Sequence, residues 1–478
     1  MLTRASLRYY AATNTLVVVG VAVAVAVLAG ALLVGASVRE SLKQIALGRL
    51  GNTDAIVTST TFFRTALAYD IAGRTANRVA PLIAAAGAVA HDESKRSAGR
   101  VAVYGVNDLF GRFHDKQAIG VAGTAIFPSI SGRDALISEA LANELGAKLG
   151  DSITLRIAKP TDIPLATLQG RREVTGQRIR LTVVRILDRT SLGEFSLSPS
   201  QGPVFSIFVS LDRLQRDLAL GDRVNTLLLS VDKEYEDLVS QVVMPSADLD
   251  DFGLRLRKGS DGNTIVETGA GLLTDPLADG IRAVAGDNGL QSESVLAYVA
   301  NTIRIGDREV PYSVVAAKAT GRGEIRLNQW TADDLRAKVG DHVSLEYFLW
   351  SDENGLTTSS AEFTLAGILP MNGDGADPTL TPDYPGISDA PDITSWDPPF
   401  PVDLKRVRPR DEDYWDKYRA APKAIISLED GQRLWGSRYG KVSSIRLSGV
   451  ANLNAQAFDP AATGFSSRNV RARALAAA

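Results

Sequence analysis

Side chains suited to catalysis or metal binding are few in this chain, and their spacing matches no common site. Its 478 residues include no cysteine, which excludes disulfides, a thiol nucleophile and a lipid anchor attached through cysteine. The three histidines, His91, His114 and His342, lie far apart in the sequence and have no neighbouring ligand pattern. We therefore expect surface or locally hydrogen-bonded histidines rather than a zinc or haem site.

The acidic residues of interest lie in a Pro- and Asp-rich stretch, residues 371–422. Two groups stand out there, namely Asp411, Glu412 and Asp413 and, earlier, Asp374, Asp377 and Asp383. Neighbouring carboxylates can perform general acid-base chemistry, but adjacent charges in a Pro-rich loop are usually a solvated face. The second group lacks the alternation of ligands that an EF-hand calcium loop requires. We expect neither catalysis nor calcium binding from these carboxylates.

A nucleotide site would require the spacing GxxxxGK[ST]. The nearest segment, Gly436 to Val442 (GSRYGKV), is one residue short between its glycines. It also places Val442 where the magnesium-binding hydroxyl must stand. HExxH, GxSxG and a GxGxxG that follows a strand are likewise missing from the sequence, so an anchored hydrolase is the least favoured class. We predict no enzyme activity and no catalytic, cofactor-binding or metal-binding residues.

The elements that would position any site are duplicated. Residues 137–155 (ISEALANELGAKLGDSITL) and 327–345 (LNQWTADDLRAKVGDHVSL) align at a constant offset of 190. The shared positions are Leu145, Lys148, Gly150, Asp151 and Leu155, which recur as Leu335, Lys338, Gly340, Asp341 and Leu345. Each copy predicts a short amphipathic helix that stops near Gly150 or Gly340, followed by an Asp turn into a strand.

Further blocks repeat in the same order, separated by spacers of different length. They are LTVVRIL at 181–187 with FTLAGIL at 363–369, VSLDRLQRDL at 209–218 with ISLEDGQRLW at 426–435, and TLLLSV at 226–231 with SIRLSG at 444–449. The preserved order indicates two copies of one α+β unit. We place them at residues 52–232 and 263–448. The first copy is expected to begin as β-α-β, with a helix at 62–79.

Two segments outside this pattern have compositions of their own. Residues 233–262 carry an acidic patch (SADLDDFG) and a basic one (LRLRKGSDG), which is typical of a solvated connection. The prolines of loop 371–422 exclude a central strand or a long helix, leaving an ordered extended loop or a disordered one. Interleaved tyrosines, tryptophans and a phenylalanine favour order, because they supply apolar surface that disordered segments lack.

Residues 15–38 (TLVVVGVAVAVAVLAGALLVGASV) contain no charge. As a helix they would measure ~36 Å, enough to cross a hydrocarbon core of about 30 Å. A buried core helix and a cleaved signal peptide are the alternatives. Residues 39–51 keep apolar residues at helical spacing, so the membrane helix is expected to continue as a stalk.

Basic residues flank this segment on both sides, so their local count does not decide its orientation. Long polar domains translocate largely regardless of charge, which favours a cytoplasmic segment 1–14 and an extracytoplasmic remainder. The net charge of −3 and the lack of basic blocks argue against nucleic acid as a partner. The predicted fold class is therefore α+β, a single N-terminal transmembrane helix with a stalk followed by two tandem related units outside the cytoplasm.

Three stretches of the chain resemble one protein family. The opening at 2–42, the two helix-KxGD-strand units and the late stretch at 397–447 (DPPFPVDLKRVRPRDEDYW and onward) are similar to FtsX-like/MacB-like ABC transporter permeases. The resemblance implies a MacB-like periplasmic core domain in a subunit of the bacterial inner membrane. It also implies a separate cytoplasmic ATPase and a second permease subunit as partners. The expected activity is mechanotransmission, or export of a lipid, lipoprotein, peptide or drug.

Members of that family have three further membrane helices after the outer domain. By this resemblance, residues 449–478 look like the linker before a second span, and the chain is expected to be truncated there and not to transport alone. A different class of function also fits the anchor and the repeats. This alternative is a membrane-anchored extracytoplasmic scaffold or adhesion protein built of two repeats.

Overall fold

The first element, α1, is a continuous helix over Ala11–Leu50 in the computed structural model. The structure describes residues 9–75, 77–115, 127–158, 176–198, 202–231, 235–318, 321–351 and 355–477. The predicted membrane helix and stalk therefore form a single rod, ~60 Å long at the usual rise per residue. The apolar part of α1 is exposed along its whole length, and it is long and hydrophobic enough to span a membrane. Residues 1–8 of the expected cytoplasmic segment lie outside the described residues.

The first unit follows α1 directly. Its elements are β1 (Ala55–Arg64), α2 (Ala66–Arg74), β2 (Arg78–His91), β3 (Ser97–Val106), α3 (Asp108–His114), β4 (Asp134–Ser138), α4 (Glu139–Leu145), β5 (Ser152–Ile157), β6 (Gln177–Leu187), β7 (Ser206–Ser210), α5 (Leu211–Asp217) and β8 (Arg223–Ser230). Six of these strands close a barrel in the order β2-β3-β7-β4-β6-β5 and back to β2. Strands β8 and β1 extend the sheet outward from β2.

The second unit repeats this topology strand for strand. After β9 (Leu254–Lys258), its elements are β10 (Thr264–Thr268), α6 (Asp275–Asp287), β11 (Ser292–Ile305), β12 (Arg308–Lys318), β13 (Glu324–Asn328), α7 (Gln329–Leu335), β14 (His342–Ser351), β15 (Gly355–Leu369), α8 (Pro409–Tyr418), β16 (Ala424–Ser427), α9 (Leu428–Trp435) and β17 (Ser444–Leu447). The barrel closes as β11-β12-β16-β13-β15-β14, with the same parallel and antiparallel senses as the first. The predicted fold class is confirmed.

The duplicated KxGD motif makes the same hydrogen bonds in both barrels. The backbone N–H of Lys148 donates to the Asp151 carboxylate at 2.7 Å, and that of Lys338 donates to Asp341 at 2.8 Å. The glycine before each aspartate has φ of 90° or 99°, a left-handed conformation that favours glycine. The preceding helices end earlier than predicted, at Leu145 and Leu335, so these glycines shape the turn into the strand rather than stopping the helix.

The expected β-α-β start of the first unit is wrong in one respect. Only residues 66–74 of the predicted helix 62–79 are helical, and β2 begins at Arg78. Strand β2 is rich in alanine and lacks alternation of apolar and polar residues. It is nevertheless a strand because β3, β5 and β8 all pair with it, and this tertiary pairing overrides the weak local preference.

Two segments expected to be connecting chain are built into the fold. Within 233–262, Val239, Val243 and Phe252 are buried, and β9 pairs with β10. Residues 449–478, expected as a linker, contain β18 (Phe465–Asn469), which pairs with β1, and α10 (Val470–Ala477). Each nine-stranded sheet thus includes one strand from outside the predicted units 52–232 and 263–448. This strand is β18 in the first sheet and β9 in the second. The charged patches of 233–262 suggested solvation, but apolar residues before and within them supply the buried faces.

The Pro- and Asp-rich loop 371–422 is packed against the second barrel. Tyr384 is buried and its Oη donates to the carbonyl oxygen of Ala297 in β11 at 2.6 Å. The rings of Trp396 and Trp415 lie 5.1 Å apart in a T-shaped contact. The aromatic residues thus order the loop, and its prolines leave room only for short helices such as α8, which starts at Pro409.

Candidate functional site: the helix–domain junction

The last turns of α1 and the C-terminal end of the described chain meet at one side of the first barrel. Strand β1 starts shortly after α1, and it pairs antiparallel with β18 so that Ala55 lies opposite Asn469. Helix α10 begins directly after β18 and runs back beside the last turns of α1. We call this region, residues 42–54, 189–198 and 470–477, the junction.

Asp54 joins three parts of the chain at the junction. One carboxylate oxygen accepts from Nε of Arg471 at 2.5 Å, and the other accepts from the backbone N–H of Val231 at 3.0 Å. Arg471 also donates from Nη2 to the carbonyl oxygen of Gly51 at 3.1 Å. The end of α1, the start of α10 and the end of β8, from which the chain continues toward the second unit, are therefore tied to one carboxylate.

Arg49, in the last turn of α1, holds the connection between β6 and β7. Its Nε donates to Glu194 at 2.9 Å, and its Nη2 donates to the carbonyl oxygen of Gly202 at 2.9 Å. The backbone N–H of Ser196 donates back to the carbonyl oxygen of Arg49 at 3.2 Å. The Arg49 side chain is only 10% exposed and that of Glu194 is 27% exposed, so this ion pair is partly shielded from bulk water.

A buried histidine lies beneath the end of α1. Nδ1 of His114 accepts the backbone N–H of Asn52 at 3.2 Å, and the Asn52 side chain donates to the carbonyl oxygen of Phe113. Burial, together with the nearby charge of Arg78, lowers the pKa of His114 to about 3. The imidazole is therefore neutral, with its proton on Nε2, at physiological pH.

Gly51 makes the sharp exit from α1 possible. Its φ is 56°, and a Cβ at this position would lie 2.5 Å from Nδ1 of His114. Any larger residue would have to displace the imidazole and adopt a strained backbone. The direction of the rod relative to the barrel is thus set by this glycine and the histidine beneath it.

The acidic residues singled out in the sequence serve to fasten the second unit's loop, and they do not converge on one site. Asp411 binds Arg408 and Asp377 binds Arg446, both as buried carboxylates. The remaining contacts are Asp374 with Lys318, Glu412 with the N–H of Ile393, and Asp383 with Ser388, while Asp413 is exposed. The P-loop-like segment is a tight turn after α9, in which Ser437 and Gly440 exchange backbone hydrogen bonds.

The three histidines are well separated in the fold. His342 is exposed, whereas His114 and His91 are buried. Among the described residues, the donor atoms of His91, Glu93 and Asp151 lie within 4.8 Å of one another. Asp151 already accepts from the KxGD turn and lies 3.2 Å from Nε2 of His91, and Glu93 points to solvent. This geometry fits a structural contact of the turn.

Sequence reasoning did not identify Asp54, Glu194 or Arg471. Each is an ordinary charged residue, and the contact between Asp54 and Arg471 spans 417 positions. The available signal was indirect. Charges that follow a membrane helix within a few residues are candidates for fixing it to the domain it carries.

Comparisons with known proteins match the first half of the chain to a described domain. The model of the MacB-like periplasmic core domain matches residues 15–244. Among solved structures, the periplasmic region of MacB from Actinobacillus actinomycetemcomitans is 8% identical and covers 41% of this chain and 82% of that chain, with a TM-score of 0.25. The extracellular domain of the noncanonic ABC-type transporter YknZ from Gram-positive bacteria is 12% identical and covers 40% and 88%, with a TM-score of 0.24. No curated protein sequence matches the chain.

The family match begins inside α1 and includes residues 42–54 and 189–198 of the junction and all of the first barrel. The bulk of the protein is thus an extracytoplasmic domain attached to a membrane helix. Residues 15–244, which include most of α1 and the first barrel, thus match the MacB-like periplasmic core domain.

Proposed function

We propose that this chain is the extracytoplasmic and first-helix part of an ABC transporter permease subunit, and that it transmits motion between the membrane and the two barrels. The observation that carries the proposal is the unbroken helix Ala11–Leu50, fastened at its outer end by Arg49 and, through Gly51, by Arg471. A rod that spans the membrane and is held by shielded ion pairs moves the domain whenever it tilts or shifts.

The junction distributes such a movement to several elements at once. A shift of Arg49 pulls the β6–β7 connection through Glu194. A shift of Gly51 pulls α10 through Arg471, and Asp54 passes the displacement to the end of β8. Since these contacts are buried or partly buried, they are stiffer than exposed ion pairs, whose geometry fluctuates in water.

The energy source lies outside this sequence, because it has no GxxxxGK[ST] motif. We infer a separate cytoplasmic ATPase and a second permease subunit, which together with the bilayer complete the working assembly in the bacterial inner membrane. The cargo class, a lipid, lipoprotein, peptide or drug, rests on the family resemblance alone. Nucleic acid is not expected as a partner.

A flexible insertion tests the transmission. A Gly-Ser linker placed after Ser41 in the permease, expressed with its ATPase, should leave both proteins associated but strongly reduce the coupling of ATP hydrolysis to cargo. The same linker inserted at Gly306, in the exposed turn between β11 and β12, is the matched control and should have little effect. Transport that persists unchanged with the linker after Ser41 would contradict the proposal. A cellular function that persists without any ATPase would instead favour the scaffold alternative.

A further inference from the structure

A cavity of about 350 Å³ lies at the junction, between the outer turns of α1, the β6–β7 connection and α10. Its apolar wall includes Leu42, Ile45 and Ala46 from α1, and Val470 and Ala474 from α10. Protein interiors contain few voids larger than a water molecule, so a space of this size is not a packing defect. It falls in the range of roughly 300–1,000 Å³ that small-ligand sites occupy.

The apolar wall of the cavity continues the lipid-facing surface of the membrane helix. Val38, Leu42, Ile45 and Ala46 are spaced as i, i+4, i+7 and i+8, so they share one face of α1. Val38 and Leu42 are exposed, and the cavity begins one turn beyond the predicted span. An acyl chain in the bilayer can therefore follow this stripe into the cavity without leaving apolar surroundings.

The end of the cavity farther from the membrane is polar and is lined by Arg49, Arg189 and Glu194. Arg49 holds the Glu194 carboxylate at 2.9 Å. Arg189 is 48% exposed, and its Nε lies 3.8 Å from the same carboxylate, so its guanidinium group faces the space. An arginine fork suits a phosphate group, to which it can donate two parallel hydrogen bonds.

We propose that this cavity binds one anionic phospholipid of the extracytoplasmic leaflet, with its head group at Arg189 and an acyl chain between α1 and α10. The inference rests on the proposed membrane placement of α1, and it names a ligand for the junction. Occupancy would couple the lipid to the same turns that fasten the rod to the barrel.

Photolabelling in a bilayer tests the proposal directly. The full chain is reconstituted in phosphatidylcholine with a small fraction of phosphatidylglycerol that carries a photoactivatable diazirine in one acyl chain. Mass spectrometry then maps the labelled residues. We expect labels on the peptides that contain residues 42–50 and 470–477, in addition to the span itself. Labelling confined to residues 15–38 would overturn the proposal.

Filling the cavity supplies the matched comparison. Ala46→Phe places a ring in the cavity and should reduce junction labelling several-fold, whereas Ala31→Phe adds the same bulk inside the span and should not. Ala474→Phe fills the cavity from the opposite wall, which guards against misfolding of a single variant, and circular dichroism checks the fold of each. Undiminished junction labelling in both filled variants would contradict the assignment.

The head group is tested by changing its charge and its partner. A phosphatidylcholine probe with the same chain should label the junction less than the phosphatidylglycerol probe does. Arg189→Gln should reduce this difference in labelling between the two probes. Arg185→Gln, on the exposed face of β6, is the control and should leave the difference in labelling unchanged. Displacement of the probe by an equimolar diacylated lipopeptide would assign the cavity to acylated proteins and overturn the phospholipid assignment.

These measurements require no ATPase, so they separate the two proposals. Junction labelling with normal transport across the Ser41 linker would contradict only the transmission role. Labelling absent from the junction, combined with transport that the linker abolishes, would contradict only the lipid site.

Discussion

The two barrels share one topology but use the same connection for different purposes. In the first barrel, residues 188–205 between β6 and β7 receive the membrane helix through the contact of Glu194 with Arg49. In the second barrel, residues 370–423 between β15 and β16 form a much longer segment that folds back over the barrel itself. One copy of the repeat is therefore attached to the membrane helix, and the other is closed by its own chain.

The closure of the second barrel replaces the contacts that the rod makes in the first. Asp377 in the loop accepts from Ser260, just before β10, at 2.8 Å and from Arg446 in β17 at 3.0 Å. In the first barrel, the residue just before β1 is Asp54, and the junction contacts with Arg471 and Val231 hold it in place. Duplication supplied a common framework, and the length and charge of one connection decided what each copy attaches to.

Each barrel also buries one cationic or titratable side chain beneath its attachment. In the first, His114 is neutral. In the second, Lys423 is buried 3.8 Å from Asp411 and faces the rings of Trp330, at 4.8 Å, and Tyr414, at 5.0 Å. Burial lowers the pKa of Lys423 to about 8, and the charge of Asp411 opposes that shift. Lys423 therefore remains largely charged at neutral pH, and this buried charge depends on Asp411 for its compensation.

The largest expected effect comes from removing that carboxylate. Asp411→Ala leaves the buried Lys423 without its nearest carboxylate, whereas Arg408 keeps Asp334. The substitution should destabilise the second barrel by about 3–5 kcal/mol. All five tryptophans lie between Trp330 and Trp435, so tryptophan fluorescence during urea unfolding reports on this barrel alone. Asp413→Ala, an exposed neighbour on α8, is the control and should change stability by less than about 0.5 kcal/mol. Equal effects of the two variants would contradict the fastening role.

A smaller effect is expected at the junction. Asp54→Ala leaves the Arg471 guanidinium and the N–H of Val231 without their acceptor, at a cost of about 1–3 kcal/mol. The loss should be local, so hydrogen exchange at β18 and α10 should accelerate while tryptophan fluorescence remains unchanged. Arg473→Ala, exposed on α10, is the matched control. Unchanged exchange in Asp54→Ala would show that β-pairing alone holds the end of the chain.

The smallest effect concerns pH. The pKa of His114 is about 3 in the folded state, below its ordinary unfolded value of about 6.5. Its contribution to stability is therefore fully present above about pH 6.5 and is lost as the pH falls toward 3, because the unfolded chain then binds the proton. Between pH 7.5 and 5.5 the loss should be about 1.4 kcal/mol.

This dependence should appear in hydrogen exchange of the first barrel and not in the tryptophan signal of the second. His114→Phe keeps an aromatic ring among Phe110, Phe113 and Phe195 but cannot be protonated, so it should remove the difference between the two pH values. The same pH dependence in His114→Phe would assign it to other groups.

Several features of the fold could be predicted from local patterns. The helical rod follows from a charge-free run of sufficient length, continued by apolar residues at helical spacing in the stalk. The two units follow from the KxGD repeat at an offset of 190. The role of loop 371–422 was predicted in part, since its aromatic residues favoured order, but its carboxylates gave no indication of their arginine partners.

Other features were out of reach because their cause lies far away in the sequence. Strand β2 has weak β-propensity and forms because three strands pair with it. Likewise, β9 lies in a segment whose charges suggested a solvated connection, and β18 lies in one that was expected to be a linker. Their apolar residues become buried only when the neighbouring edges of β10 and β1 are in place.

The sequence by itself determined that a membrane-length helix carries two related α+β units, because length, charge and periodicity are local properties of the chain. The tertiary structure alone decided that the barrels close, that β18 returns to β1, and that Asp54 meets Arg471 across 417 positions. Contacts over such distances depend on how whole sheets assemble, and no short stretch of residues encodes them. The junction, where the proposed movement passes from membrane to barrel, is made of such contacts.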